Sequence, residues 1–132
     1  RLVRYGVNER QKPSRFADGE TVHIITERSV EALRQKGLDV TYLTFRPNLV
    51  VADSSEVFHE ETWGTLEFVS GVELKLSKLC DRCGIINLNP ENGEAARVAN
   101  LKMLSEYRRE RIPAKPSKGI PFGIHARVVR PG

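Results

Sequence analysis

The sequence predicts a mainly β domain, a barrel or sandwich of about six short strands with two helical connections, and three observations carry that reading. Short apolar or alternating runs recur between Gly, Pro and Asn punctuation along the chain. Two alternating runs, Thr65–Val69 and Val72–Ser77, flank Ser70-Gly71, a two-residue hairpin signal. Only two stretches have helical spacing, and they do not alternate with the strands as a parallel βαβ sheet requires.

The elements follow in chain order. Leu2–Tyr5 is a strand candidate, followed by a polar stretch, Asn8–Lys12, that Pro13 and Gly19 punctuate. Val22–Ile25 reads as a short buried strand. Ser29 offers an N-cap for a helix through Lys36, with Glu31 in the first turn, Lys36 in the last and Gly37 at the position after the C-cap. Val40–Val51 is strand-like, but Pro47 cannot donate to a ladder and marks a bulge or an edge. Asp53–Glu61 is an acidic, polar loop. After the hairpin, Cys83–Leu88 is another β-type segment, and Asn89–Gly93 has turn chemistry. A second helix is expected over about Ala95–Arg109, where Val98, Leu101, Leu104 and Tyr107 make one apolar stripe. A Pro- and Gly-rich loop, Arg111–Pro121, leads to a last strand over Ile124–Val129.

Composition narrows the class. A chain of 132 residues is one domain by default and long enough to bury a core without disulfides. No apolar run reaches the length of a bilayer crossing, and no apolar segment of signal-peptide type follows Arg1. The chain does not start with Met, which suggests a piece of something longer. The net charge of +4 is spread along the chain, and the densest cluster, Arg108–Arg111, contains Glu110. Aromatic residues are scattered, without a base-stacking motif. The expectation is therefore no nucleic acid and no membrane, with an anionic small molecule as the partner that suits a modest positive charge. The two cysteines are too few and too close for a secreted disulfide scaffold, so a reducing, cytoplasmic setting is expected.

The candidate chemistry starts at Cys80-Asp81-Arg82-Cys83. One C-x-x-C supplies half of a structural zinc site, and His23, His59 and His125 lack metal-ligand spacing. A thioredoxin-like pair needs a helix N-terminus, whereas an apolar β-type run follows here. Two buried thiols acting as small hydrophobes is the plainest alternative. Arg82, between the thiols, favours a thiolate electrostatically, the form that binds metal or attacks an electrophile. A second segment is Phe45-Arg46-Pro47-Asn48-Leu49-Val50-Val51. On a regular strand Arg46 and Asn48 share a face, one a fork for phosphate or carboxylate and the other a donor and acceptor for a heterocycle edge. A surface strand with a bulge is the alternative. Trp63 and His23 read first as core residues, and Arg108–Arg111 as the solvated end of a helix suited to its dipole.

In order along the chain, Phe16-Ala17-Asp18-Gly19, Val22–Ile25, Ser29–Leu33, Phe45–Val51, Trp63, Val72–Leu74, Cys80-x-Arg82-Cys83, Asn89–Gly93, Leu101–Arg108 and Phe122-Gly123 resemble the MOSC family, the molybdenum cofactor sulfurase C-terminal domain. The subgroup most resembled is the mitochondrial amidoxime reducing component with its bacterial relatives. The resemblance implies a mainly β, barrel-like MOSC fold with two or three helices, spanning residues 1–132 as a single domain of a longer protein. It implies that a molybdenum pterin, the molybdenum cofactor, is held with Cys83 as metal ligand and catalytic residue. Arg46, Asn48 and Arg82 match positions near that cofactor, and Cys80 is secondary.

The implied function is an oxidoreductase domain that reduces N-hydroxylated or N-oxygenated compounds, supplied by electron-transfer proteins. The alternative is a sulfur-carrier or cofactor-delivery module, in which Cys83 accepts a persulfide from a cysteine desulfurase domain that holds pyridoxal phosphate. A third reading is a barrel with inert thiols. The chain departs from the family at Leu79, where Pro is usual, and at Ile86-Asn87, where Thr-Thr is usual. The resemblance also implies an N-terminal domain and a further strand beyond Gly132.

Overall fold

The computed structural model describes residues 2–5, 21–52, 56–115 and 117–130. Six strands form one curled, half-barrel sheet in the order β1-β4-β5-β6-β2-β3. They are β1 (Leu2–Tyr5), β2 (Thr21–Thr26), β3 (Leu49–Val51), β4 (Thr65–Phe68), β5 (Glu73–Arg82) and β6 (Ile120–Arg130). β1 pairs with β4 and β2 with β3 in parallel, and the remaining pairs are antiparallel. The helices are α1 (Glu27–Gln35) and α2 (Asn100–Glu110), and three 3-10 turns cover Tyr42–Phe45, His59–Thr62 and Gly84–Asn87. The architecture is mainly β with few helices, as the sequence predicts. The Phe16–Gly19 motif and the Asn8–Lys12 stretch lie outside the described residues.

The core has two parts, one on each face of the sheet. Val22, Ile24, Trp63, Leu66, Leu74 and Val128 belong to one cluster; Ile25, Leu33, Phe45, Ile86, Leu104 and Phe122 belong to the other. β2 contributes to both, which is why Val22–Ile25 reads as a continuous apolar run rather than an alternation. His23, which shares the parity of Ile25 on the second face, is also buried.

The hairpin forms as expected, with Gly71 at φ +98 in its turn. β5 then runs on to Arg82, further than its alternating pattern suggests. Register shifts between Leu76 and Leu79 and between Leu79 and Asp81 interrupt its pairing with β6. Such bulges re-aim a strand, and here the second falls at Cys80, just before Arg82 and Cys83.

Several elements differ from the sequence reading. Thr26, not Ser29, caps α1: its side chain accepts from Ser29 N at 3.2 Å. Ser29 is buried, accepting from Phe58 N at 2.8 Å. Val40–Val51 is not a bulged strand but a 3-10 turn closed by Arg46 at φ 50, with only Leu49–Val51 as strand. Cys83–Leu88 is not a strand either. The segment turns at Gly84, buries Ile86, and uses Asn87 Oδ1 to accept from Leu101 N at 2.9 Å, capping α2. α2 starts at Asn100 rather than Ala95, because Ala96 N donates to Asn87 O (2.7 Å) and Arg97 N to Asp39 Oδ2 (3.0 Å) instead of entering a helical ladder. Asn100 completes this anchor: its buried Nδ2 donates to Asp39 O and Ile86 O. The turn that follows Cys83 is thus tied to a helix.

The charged residues correct the sequence reading most. Glu60 and Glu61 lie in the segment read as a polar loop, and both are buried. Arg108 is not a solvated helix end: it is 5% exposed and bonds both oxygens of Glu61 through Nη2 at 2.7 Å, stacked 3.8 Å from the Phe58 ring centroid. Glu60 Oε1 accepts from Ser29 Oγ at 3.0 Å. Burial, the largest cause, pushes the Glu60 carboxyl up to about 7. Among the described residues, no helix is long and apolar enough to cross a membrane.

Candidate functional site

Cys83 ends the central run of the sheet. It follows Arg82, the last residue of β5, in extended conformation (φ −126, ψ −174), and its carbonyl accepts from Ile86 N to open the next turn. Its thiol is exposed, whereas that of Cys80 is half-buried. Burial raises the Cys80 thiol above its ordinary range, outweighing the nearby Arg82 charge. The two cysteines of the motif therefore differ: one is open to a ligand and the other is held as a neutral thiol.

Arg82 is half-buried, and each of its nitrogens has a protein partner. Nε donates to Phe122 O at 2.9 Å, Nη1 to Phe45 O at 3.0 Å, and Nη2 to His23 Nε2 at 2.6 Å. The guanidinium also lies 5.0 Å from the Phe45 ring centroid. The sequence reading gave this charge the task of favouring a neighbouring thiolate. The geometry gives it a mechanical one, tying the end of β5 to β6, to β2 and to the turn before Arg46.

Arg46 and Asn48 do not share a strand face, since Arg46 stands in the left-handed region at the close of a 3-10 turn. Both are exposed. Asn48 exchanges two bonds with the backbone of His23: its N–H donates to His23 O at 2.9 Å, and its Oδ1 accepts from His23 N at 2.8 Å. Its amide oxygen is thereby committed to the protein. The carbonyl of Arg46 lies 3.5 Å from His23 Nδ1.

His23, read from sequence as a core residue, is buried and joins these pieces. Burial first, and then the Arg82 charge, lower its pKa to about 4, so the ring is neutral at pH 7. Arginine has only donors, so Nε2 must accept and Nδ1 carries the proton toward Arg46 O. Gly123, at φ +86 on β6, makes room for the ring: a Cβ there would stand 2.5 Å from His23 Nε2 and 2.9 Å from Ile25 Cγ2. In sequence, the only pointer to this role was a lone histidine in an apolar run.

Among the described residues, no three His, Cys, Asp or Glu side chains converge to hold a metal ion. The described side chains thus do not assemble a multi-ligand metal centre. They offer one accessible soft donor, Cys83, which suits a metal that arrives already chelated by sulfur. A cavity of about 530 Å³ lies elsewhere, between the end of α2 and the segment leading to β6. Its walls include Arg108, Arg109 and Lys115 but none of Arg46, Asn48, Arg82 or Cys83.

Fold and site together define a small mainly β domain with an accessible thiol at the end of a central strand and a clamped basic loop beside it. The MOSC domain model matches residues 11–132, and the chain belongs to the MOSC domain family. Mitochondrial amidoxime reducing component 2 of Rattus norvegicus is 35% identical over 96 residues, which cover 70% of this chain and 27% of that protein. Mitochondrial amidoxime-reducing component 1 of Homo sapiens is 30% identical over 71% of this chain and 28% of its own length. Molybdenum cofactor sulfurase of Solanum lycopersicum is 34% identical over 115 residues, 76% of this chain and 13% of its length. The chain spans about a quarter of the length of these two amidoxime reducing components.

Proposed function

We propose that this domain binds a molybdenum cofactor, with Cys83 as the protein ligand to the metal, in an oxidoreductase that reduces N-oxygenated compounds. The observation that carries the reading is the exposed Cys83 thiol, held at a strand end between two anchored segments, in a chain of the MOSC family. The relatives named amidoxime reducing components support the substrate class.

Cys83 would hold the metal, and the exposed Arg46 would face the anionic part of the cofactor. Arg82 and Asn48 would act behind them, fixing the backbone that presents both. When bound, such a group supplies two-electron chemistry at the metal, while the protein supplies binding and orientation. We infer that the exposed Cys83 thiol meets the cofactor within a longer protein, as the greater length of the relatives suggests. A reducing compartment, whether cytoplasmic or mitochondrial, keeps the thiol in its ligand form.

The similarity to molybdenum cofactor sulfurase favours a second reading, in which Cys83 carries sulfur delivered by a pyridoxal-phosphate domain. One experiment separates them. The full-length protein is assayed for reduction of an N-hydroxylated amidine with a chemical electron donor, and Cys83 is examined by intact mass spectrometry. Turnover abolished by Cys83→Ala supports the reductase. A persulfide on Cys83, without turnover, moves the assignment to the sulfur carrier.

A further inference from the structure

We propose that His23 is the positioning residue of this site, a neutral hub that holds the Arg46–Asn48 loop and the Arg82–Cys83 strand end in register. Four contacts carry the inference. Asn48 bonds both backbone groups of His23, at 2.8 and 2.9 Å. The ring reaches Arg82 Nη2 through Nε2 at 2.6 Å, and Arg46 O through Nδ1 at 3.5 Å. Arg82 closes the loop by donating to Phe45 O, one residue before Arg46. Every sequence-derived site residue is therefore bonded to His23 or adjacent in the chain to one that is.

The protonation state makes the hub specific. A charged imidazole has no acceptor for Arg82, and the other neutral tautomer would set an N–H against a guanidinium N–H. Burial against the Arg82 charge keeps the ring neutral, and the missing side chain at Gly123 keeps it in place. Arg82 is accordingly a strut: its planar fork spans three acceptors on three segments, which a lysine cannot do. The consequence for the cofactor rests on the proposed ligand role of Cys83; the positioning itself does not.

The test uses the full-length protein with His23→Leu, His23→Gln and Arg82→Lys. Gln keeps an acceptor and a donor at the end of the side chain, and Leu keeps only the bulk. Hydrogen exchange is followed by mass spectrometry on peptides covering 45–48, 82–86 and, as a control, 65–68 in β4. The expected result is about tenfold faster exchange at 45–48 and 82–86 in H23L and R82K, little change in β4, and recovery in H23Q, because a net hydrogen bond is worth roughly that factor. Nitrogen NMR on histidine-labelled wild type should show Nδ1 protonated and Nε2 bare.

The proposal is overturned by an Nε2-protonated ring, by R82K that leaves both segments protected, or by H23L that loosens β4 equally. If H23L does not fold, R82K and the tautomer decide. Molybdenum content is read alongside: loss in H23L with recovery in H23Q extends the role to cofactor binding. A molybdenum-free wild type with the exchange pattern intact counts against the cofactor reading alone.

Discussion

Glu60 gives a prediction whose sign and size follow from its surroundings. The carboxyl is buried beside Ser29 and Thr26, its Oε2 has no partner among the described residues, and burial raises it from an ordinary 4.5 to about 7. Below pH 4.5 folded and unfolded chains both hold the proton. Between 4.5 and 7 only the folded chain does, so the stability this proton provides is lost as pH rises and is gone above about 7. At about 1.4 kcal/mol per pH unit, the gap amounts to about 3 kcal/mol.

Glu60→Gln is neutral at every pH and keeps an oxygen for Ser29. The variant should match wild type near pH 4.5 and exceed it by up to about 3 kcal/mol at pH 8. Urea unfolding of the domain at half-unit pH steps measures this, with the fluorescence of the single tryptophan, Trp63, as the probe. Trp63 is fully buried three residues from the substitution. Subtracting the wild-type curve from the variant curve cancels every other titration. A flat difference between pH 4.5 and 8, or one that falls with pH, would refute the assignment of Glu60 as a proton-holding buried acid.

Three further outcomes follow from the same geometry. His23, lowered from 6.5 to about 4, has the opposite sign: the stability it contributes is present above pH 6.5 and lost as pH falls toward 4. The H23Q-minus-wild-type difference should therefore rise on acidification through that window in the same urea series. Gly123→Ala meets both a left-handed backbone and the His23 ring, and should cost about 2–5 kcal/mol by urea midpoint; a loss under about 1 kcal/mol would show that the ring is free to move aside. Glu61→Gln leaves the buried Arg108 charge without its counterpart and should cost about 3–5 kcal/mol, whereas Glu61→Met with Arg108→Met should recover much of that loss. Thermal denaturation in which the double variant is worse than E61Q would contradict the pairing.

The parts of this domain that were legible in the sequence are those where local chemistry and tertiary context agree. The β4–β5 hairpin was fixed by two alternating runs and a Ser-Gly turn, and the sheet formed it. β2 was visible because a strand buried on both faces is continuously apolar. Where context overrides local preference the reading failed. Ile85 and Ile86 look like strand residues, yet Gly84 and the demand of α2 for a cap at Asn87 turn the chain. Arg108 looks like a helix-end charge only as long as Glu61, 47 residues away in sequence, is not known to face it.

The site divides in the same way. The Cys80–Cys83 pair, Arg82, Arg46 and Asn48 could be named from residue type and spacing, the choice of Cys83 within the pair came from the family resemblance, and the fold links Arg82, Arg46 and Asn48 through His23. Their tasks were not legible, because those depend on which carbonyls lie within reach. Arg82 faces Phe45 O and Phe122 O, 37 and 40 residues distant, and this turns a presumed charge donor into a strut. His23 carries no motif; only the end of β5, paired with β6 beside β2, and the turn at Arg46 give its two ring nitrogens their partners.

The central claim is that Cys83 holds a molybdenum cofactor, and elemental analysis of the full-length protein tests it most directly. Wild type and Cys83→Ala are purified from a host that makes the cofactor, and molybdenum is measured per protein chain. The account predicts near-stoichiometric molybdenum in wild type and its loss in the variant, with the fold unchanged because the thiol is exposed. A molybdenum-free wild type, or a variant that keeps its metal, would contradict it.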